Sequence, residues 1–397
     1  MKLLYISFVN ESTRAGYMKK ILNQSIGFSD LGIKTFLTAR NNDSFWLGEI
    51  KEREKVIIEK INVPTTGKGL TKYTKYVSSL CLFFDFCLEN VYKLQPDAVY
   101  IRQIRPISPM LINLIKKIKQ QGCIVLYEYP TYPWKAGLLL GKKYLSYVLD
   151  VVQYKKLLKS IDAMVVMGKC QENTCDVIET MNGMERRPLE KTNQNSYPLK
   201  KESEVSMIVV CHYGKVHGIE KVVRGIKEYY KRKQNIDFKL RIVGPEDAFK
   251  PLKDYIHELK IEQHVQFFGY MVGEELDKLY KQSDIGLDAI GLEIRGEDCI
   301  CGSLKSREYV SYGLPFVCSD MLDIVYNGMT DKRFMYVVDH SVQTVNIEEL
   351  IAWYKNINVT SDEIVEYGME NLTWDKTMKP VAEYIYNIIG GTNENAL

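Results

Sequence analysis

Histidine is the scarcest of the reactive side chains: the 397 residues hold five, and none precedes His212. The first half of the chain therefore offers no imidazole as a base or metal ligand. Cysteine is present but unorganised. Nine are scattered along the chain with no C-x-x-C pair, an odd number that suggests neither a disulfide framework nor a zinc site and points to the reducing cytoplasm. No run of eighteen apolar residues occurs, so nothing is expected to span a bilayer. Met1 to Val9 carries one lysine and no small-residue cleavage site, too short for a signal peptide, and reads as a first strand. There is no D-x-D, no G-x-G-x-x-G and no G-x-x-x-x-G-K-[ST], which argues against a dinucleotide dehydrogenase and a P-loop NTPase. Self-similar repeats and low-complexity tracts are also missing, which excludes solenoids.

What is present is the composition of a globular protein, with 46% apolar and 26% charged residues and length enough for two domains, each burying its own core. The net charge of +3 hides an asymmetry. Residues 1–200 hold 30 Lys plus Arg against 18 Asp plus Glu, and the remainder holds 23 against 32. A basic half suggests an anionic partner, either phospholipid or nucleic acid; the bland alternative is a solvated lysine-rich surface. Nucleic acid is the weaker choice, since no RNP, zinc-finger or helix-turn-helix pattern accompanies the charge.

Short β-rich runs alternate with amphipathic stretches. Residues 2–9, 34–37, 98–102 and 124–127 read as strands, and 15–31 and 107–121 as helices, the βαβ signature of a parallel sheet. In the second helix Leu111, Leu114, Ile115 and Ile118 share one face, with Lys116, Lys117 and Lys119 opposite. Residues 183–205 lose that periodicity and read as a linker. A second series follows: strands at 206–211, 238–243, 265–268 and 285–290, helices at 218–231, 250–259 and 274–282. The expected architecture is α/β, two Rossmann-like domains facing across a cleft. An N-terminal domain spans 1–195 and a C-terminal domain 196–373, with a terminal helix within 374–397.

In doubly wound sheets ligands bind beyond the carboxyl ends of strands. Glycines stand there after three strands of the second series: Gly214 and Gly218 after Cys211, Gly244 after Val243, and Gly269 before Tyr270. Each allows close backbone approach or positive φ, and each alone is also ordinary turn chemistry. The most informative stretch runs from Cys301 to Val317. Ser303 reads as an N-cap, Gly313 as a stop and Pro315 as a barrier, which predicts a helix over 304–312. Lys305 and Glu308 share one of its faces. They read either as a phosphate-binding ammonium beside a ribose-binding carboxylate, or as a surface pair worth only ~0.2–0.5 kcal/mol. On the solvated reading, Lys305→Ala lowers turnover with a modest effect on the fold.

Ser-Leu-Lys-x-Arg-Glu-Tyr followed by Gly-Leu-Pro resembles the donor domain of a GT-B glycosyltransferase, nearest the retaining family four. The Tyr-Gly-Lys-Val-His-Gly turn, Ile-Val-Gly-Pro and Phe-Phe-Gly-Tyr belong to the same pattern. In the first half Gly16, the Tyr100-Ile101-Arg102 run, Glu128 to Pro133, and Asn182-Gly183 are similar too, as is Trp374-Asp375 before the last helix, and the resemblance implies that 1–195 is the acceptor domain, 196–373 the donor domain, and that the terminal helix crosses back to the first. The resemblance implies that Glu308 binds the nucleotide ribose, that Lys305 with the Ser303 and Leu304 backbone binds the diphosphate, and that Gly214, Gly244 and Tyr270 line the donor site. Gly16, Arg102 and Glu128 fall on the acceptor side. The chain departs from the pattern at His212 and His217, which stand where relatives carry Arg and Lys, and at Ile300, where relatives often carry a first glutamate; the nearest acids are Glu297, Asp298 and Glu293.

The implied chemistry is metal-independent transfer of a sugar from a nucleoside-diphosphate donor, with no cofactor beyond that co-substrate. Lys305, Lys215 and His217 would meet the charge on the leaving diphosphate, and the acceptor-side base is a carboxylate such as Glu128 or Glu11, or there is none. The acceptor would be a saccharide or lipid-linked glycan in surface polysaccharide synthesis. Lys116, Lys117, Lys119, Lys135, Lys142, Lys143, Lys155, Lys156 and Lys159 would place the enzyme against an anionic inner leaflet. The rival readings are a catalytically silent partner or glycan-binding subunit, and a nucleotide-sugar epimerase.

Overall fold

The run Lys-Leu-Leu-Tyr-Ile-Ser-Phe-Val-Asn forms β1 (Lys2–Asn10), whose centre is buried on both faces, as a strand in the middle of a parallel sheet requires. The computed structural model describes residues 1–63, 72–132, 144–186, 203–296 and 299–394. After β1 come α1 (Ala15–Asp30), β2 (Lys34–Arg40), β3 (Ser44–Lys51), β4 (Glu54–Asn62), α2 (Lys72–Leu94), β5 (Ala98–Arg102), α3 (Pro109–Lys119), β6 (Ile124–Tyr129), α4 (Tyr144–Leu158), β7 (Ala163–Met167) and β8 (Asp176–Thr180). Then follow β9 (Glu204–Val210), α5 (Ile219–Tyr229), β10 (Asp237–Val243), α6 (Lys250–Leu259), β11 (Val265–Phe267), α7 (Glu274–Lys281), β12 (Ile285–Leu287) and α8 (Lys305–Ser311). The chain continues through β13 (Phe316–Ser319), α9 (Asp323–Tyr326), β14 (Met335–Val338), α10 (Ile347–Lys355), α11 (Ser361–Asn371) and α12 (Trp374–Glu394).

Two units result, Met1–Gly183 with Trp374–Leu397, and Met184–Thr373. Most of the stretch read as a linker, residues 187–202, lies outside the described residues. The first unit is built on an eight-stranded sheet of order β4-β3-β2-β1-β5-β6-β7-β8, parallel from β2 to β8, with β3 and β4 added antiparallel at one edge. Apolar side chains fill both faces, Phe83, Leu111, Ile115 and Tyr127 on one, Phe28, Tyr100, Trp374 and Ile385 on the other. The terminal helix α12 belongs to this unit and packs on α1. Gly27 and Gly183 make room for Trp374: a Cβ on either would stand 2.6–2.8 Å from it.

The second unit has a six-stranded, wholly parallel sheet of order β11-β10-β9-β12-β13-β14. Strand order reverses between β9 and β12, and that switch point fixes where a ligand can reach the carboxyl edge. The fold is therefore the two-sheet α/β architecture read from the sequence. Two local expectations change. The strand expected over 285–290 ends at Leu287. The helix expected over 304–312 from a Ser303 cap is α8, with Leu304 at the cap position, because Ser303 is turned to a buried carboxylate described below.

Candidate active site

At the switch point the loops following β9 and β12 lie backbone to backbone. Ile290 and Gly291 donate their N–H groups to the carbonyls of His217 (3.3 Å) and Val216 (3.1 Å) in a 3₁₀ turn, Lys215–His217. Gly218, at φ +66°, ends that turn and opens α5; a Cβ there would lie 2.9 Å from the Gly291 nitrogen, and one on Gly291 would run into the Lys215 carbonyl oxygen. Two glycines thus permit one close approach. We expect Gly291→Ala to force the loops apart and destabilise this unit by about 1–3 kcal/mol, read as a lower urea midpoint at constant slope. An unchanged midpoint would show that the approach is not required.

Asp288 follows β12 directly and is fully buried. Ser303 donates its hydroxyl to it (2.6 Å), Ser306 its N–H (2.9 Å), Ala289 its N–H (2.6 Å), and the Lys305 ammonium stands 3.0 Å away. Burial alone would raise the Asp288 carboxyl; the Lys305 ammonium and these hydrogen bonds together hold it below the usual carboxylate range. Asp288 is the residue the sequence reading missed. Its only signal was one acid at the end of the apolar run Ile-Gly-Leu, hidden inside an overlong predicted strand. Lys305 is not a solvated helix residue either: its side chain is only 14% exposed.

Lys305 also faces His217, with 3.4 Å from Nζ to Nδ1, while His217 Nε2 lies 3.1 Å from the His212 carbonyl oxygen. A carbonyl only accepts, so Nε2 carries the proton and Nδ1 accepts from the ammonium. Burial and then the Lys305 charge lower the imidazole to about 4. His217 is therefore neutral near pH 7. The three groups Asp288, Lys305 and His217 sum to zero charge, and exposed Lys215 adds a positive charge on the same 3₁₀ turn as His217.

The first turn of α8 is also partly committed. The Lys305 N–H is accepted by Ser303 Oγ (3.2 Å) and the Ser306 N–H by Asp288, so these two amides are not open to a diphosphate. One turn along, half-buried Glu308 accepts from the Tyr280 hydroxyl at 3.2 Å. Tyr280 itself stacks on Tyr312, centroids 4.5 Å apart. Between these, Arg307 is buried in a two-pronged pair with Asp323 at the start of α9, both arms 2.8 Å. That pair anchors the helix with its Lys305 and Glu308 positions at the sheet edge.

Gly214 precedes the 3₁₀ turn in ordinary extended backbone. Gly244 touches the loop after β9 so closely that a Cβ would collide with the Cys211 carbonyl oxygen, and Gly269, at φ +68°, presents Tyr270 to solvent with 73% exposure. Leu304 is exposed beside Lys305. Glu297 lies outside the described residues.

Gly16 sits on the exposed first turn of α1. Arg102 and Glu128, in contrast, form a buried cluster of the first unit: Arg102 Nη1 is 2.9 Å and Lys20 Nζ 3.7 Å from Glu128 Oε1, and the Tyr5 hydroxyl donates to Oε2 at 2.8 Å. Burial works against the charge on Glu128, but Arg102, Lys20 and Tyr5 hold the carboxyl below its ordinary range. A buried carboxylate so held has little affinity for a proton, which corrects its reading as an acceptor-side base.

Among the described residues Asp320, Asp339 and His340, at the ends of β13 and β14, bring donor atoms within 4.8 Å of one another. The buried Lys221 ammonium, 2.9 Å from the His340 carbonyl oxygen, already supplies a cation beside them. No described helix is long and apolar enough to cross a membrane.

Residues 190–288 match the family described as glycosyl transferases group 1. No curated protein matches the chain by sequence. Solved structures do resemble it. A glycosyltransferase from Rickettsia africae is 13% identical, covers 98% of both chains and superposes with a TM-score of 0.59. The pneumococcal O-GlcNAc transferase GtfA, solved with UDP and GlcNAc, is 11% identical over 98% of this chain and 99% of its own, TM-score 0.58. The lipopolysaccharide outer core galactosyltransferase WaaB is 12% identical over 98% and 99%, TM-score 0.54. The fold is that of the GT-B glycosyltransferases, and the segment matching the group 1 family indicates a glycosyltransferase.

Proposed function

We propose that this glycosyltransferase takes a sugar from a nucleoside-diphosphate donor held at the carboxyl edge of the second unit's sheet and passes it, with retention, to a saccharide or lipid-linked glycan in surface polysaccharide synthesis. The observation that carries the reading is the Lys305 ammonium fixed at the strand switch point by a fully buried carboxylate. As the bond from the sugar to the diphosphate breaks, Lys305 and Lys215 meet the charge that develops on the leaving oxygen. Glu308 accepts the ribose hydroxyls, with Tyr280 fixing its orientation. The acceptor hydroxyl attacks the face the phosphate leaves and gives that phosphate its proton, so the chain's own residues supply no nucleophile. No cofactor beyond the donor enters.

A panel of nucleoside-diphosphate sugars, followed by thermal shift and by nucleotide release, tests this. At least one is expected to raise the melting temperature, and Glu308→Ala to weaken that binding by about 1.5–3 kcal/mol, whereas Tyr280→Phe keeps most of it. Should no donor bind or release nucleotide, the silent-partner reading gains, and an altered sugar nucleotide formed without acceptor would favour an epimerase.

For the acceptor side we infer attachment to an anionic leaflet. Helix α4 leaves Val148, Val151 and Val152 exposed, with Lys155, Lys156 and, just past its end, Lys159 exposed beside them, an apolar strip edged by positive charge. Lys135, Lys142 and Lys143 lie outside the described residues. Flotation with phosphatidylglycerol vesicles is expected to carry the protein at low salt, less so at high salt, and poorly after Val152→Asp. Equal flotation with neutral vesicles would remove the electrostatic part.

A further inference from the structure

Between the Leu292–Arg295 3₁₀ turn and α8 lie two thiols that the transfer reaction does not use. Cys299 and Cys301 are 1% and 5% exposed, and their sulfurs are 3.4 Å apart. The Arg295 guanidinium donates to Cys301 Sγ, also at 3.4 Å. Cys301 is held on both backbone sides, its N–H by the Met321 carbonyl (3.0 Å) and its C=O by the Asp323 N–H (2.9 Å). The sulfur thus stays beside its two partners. Three further cysteines, Cys87, Cys123 and Cys318, are buried without such an arrangement, and burial pushes each of those thiols up.

We propose that Cys299 and Cys301 are a redox-active dithiol, closed to an intramolecular disulfide by a peroxide, which alters the donor-binding loop next to it. The hydrogen bond from the Cys299 thiol, with the nearby guanidinium, lowers Cys301 to about 7, and Cys299 as the hydrogen-bond donor is pushed up in return. Cys301 is then the attacking thiolate. It displaces hydroxide from the peroxide, the O–O bond breaks, and the sulfur becomes a sulfenic acid. Cys299 loses its proton and attacks that sulfur, the S–O bond breaks, and hydroxide leaves with the proton as water. Two thiols are oxidised by two electrons while one peroxide is reduced to two waters.

The bridge shortens the Cys299-Ile300-Cys301 loop, takes the thiolate away from Arg295, and pulls on a segment whose next residues include Ser303, bonded to Asp288. This last consequence rests on the donor-site reading given above.

The test treats the reduced, full-length protein with hydrogen peroxide, followed by digestion and mass analysis. The peptide spanning Cys299 and Cys301 is expected to lose two hydrogens and regain them with dithiothreitol; Cys299→Ser should instead leave a sulfenic acid trapped by dimedone at Cys301. Both cysteines still free after the remaining thiols have reacted would overturn the dithiol, as would trapping at position 299 in Cys301→Ser at the same rate. A second readout is the affinity for UDP and GDP before and after oxidation. Affinity lost on oxidation and restored by dithiothreitol supports control of the loop, and equal affinity in both states overturns it. Failure of the reduced protein to bind either nucleotide counts against the donor-site reading, and leaves the mass result to decide the dithiol alone.

Discussion

Lys305→Met is expected to reduce turnover by about 10²–10³-fold, because it removes a side-chain charge that the fold fixes where the leaving diphosphate would gain its own. The same change should cost about 3 kcal/mol of stability, since it strips Asp288 of its counter-ion and leaves a carboxylate buried among hydrogen bonds alone. That is a reversal of the modest effect foreseen for a solvated helix lysine, and the physical reason is the 3.0 Å pair with a fully buried partner. A second variant separates the two losses. Asp288→Asn combined with Lys305→Met removes both charges, so most of the stability should return while turnover stays low. Urea unfolding and initial rates on the same preparations give the comparison. Wild-type stability in the single variant would mean that Lys305 does not neutralise Asp288, and restored turnover in the double variant would mean that the ammonium does not meet the diphosphate.

The parallel sheets were legible because a buried parallel strand is a nearly continuous apolar run, and the runs at 2–9, 98–102 and 206–211 are of that kind, while 238–243 shows the apolar alternation of a half-buried strand. The antiparallel edge was not. β4 reads Glu-Lys-Val-Ile-Ile-Glu-Lys-Ile-Asn, and its side chains are mostly exposed, so neither alternation nor a continuous apolar run marks it. At the site, Lys305 and Glu308 were found by their spacing, as local patterns can be. Asp288 and Arg307 were not, because their partners are distant in sequence: Asp288 meets groups 15 to 18 residues on, and Arg307 meets Asp323 16 residues away. Burial decides the roles of such residues, and nothing in a one-dimensional pattern reports it. Glu128 shows the same blindness in the other direction. As a sequence feature it is a single carboxylate after an apolar run, fit for a base; in the fold it is the acceptor of Arg102, Lys20 and Tyr5.

His217 is expected to set the pH dependence of donor binding. Without an anion the imidazole is lowered to about 4 by burial, then by Lys305, with Asp288 pulling the other way and Arg295 adding to the lowering. The unfolded chain would protonate near its ordinary value, about 6.5. Below that value the unfolded state binds the extra proton and the folded state does not, so this residue removes stability as pH falls from about 6.5 toward 4. A bound diphosphate changes the sign of its surroundings, because it supplies the counter-ion that Lys305 now obtains from Asp288 alone. The imidazolium is then stabilised, and ligand binding is coupled to proton uptake by His217. With a nucleotide sugar as probe, whose diphosphate diester has no proton to gain in this range, roughly half a proton per site is expected near pH 6 and little at pH 8. Calorimetry in two buffers of different ionisation heat measures that uptake directly. His217→Gln should abolish it and flatten the affinity between pH 6 and pH 8, while Lys305 still holds the ligand at the higher pH. Equal heats in both buffers for the wild-type protein would show that His217 stays neutral beside the diphosphate, leaving Lys305 and Lys215 to carry the positive charge without it.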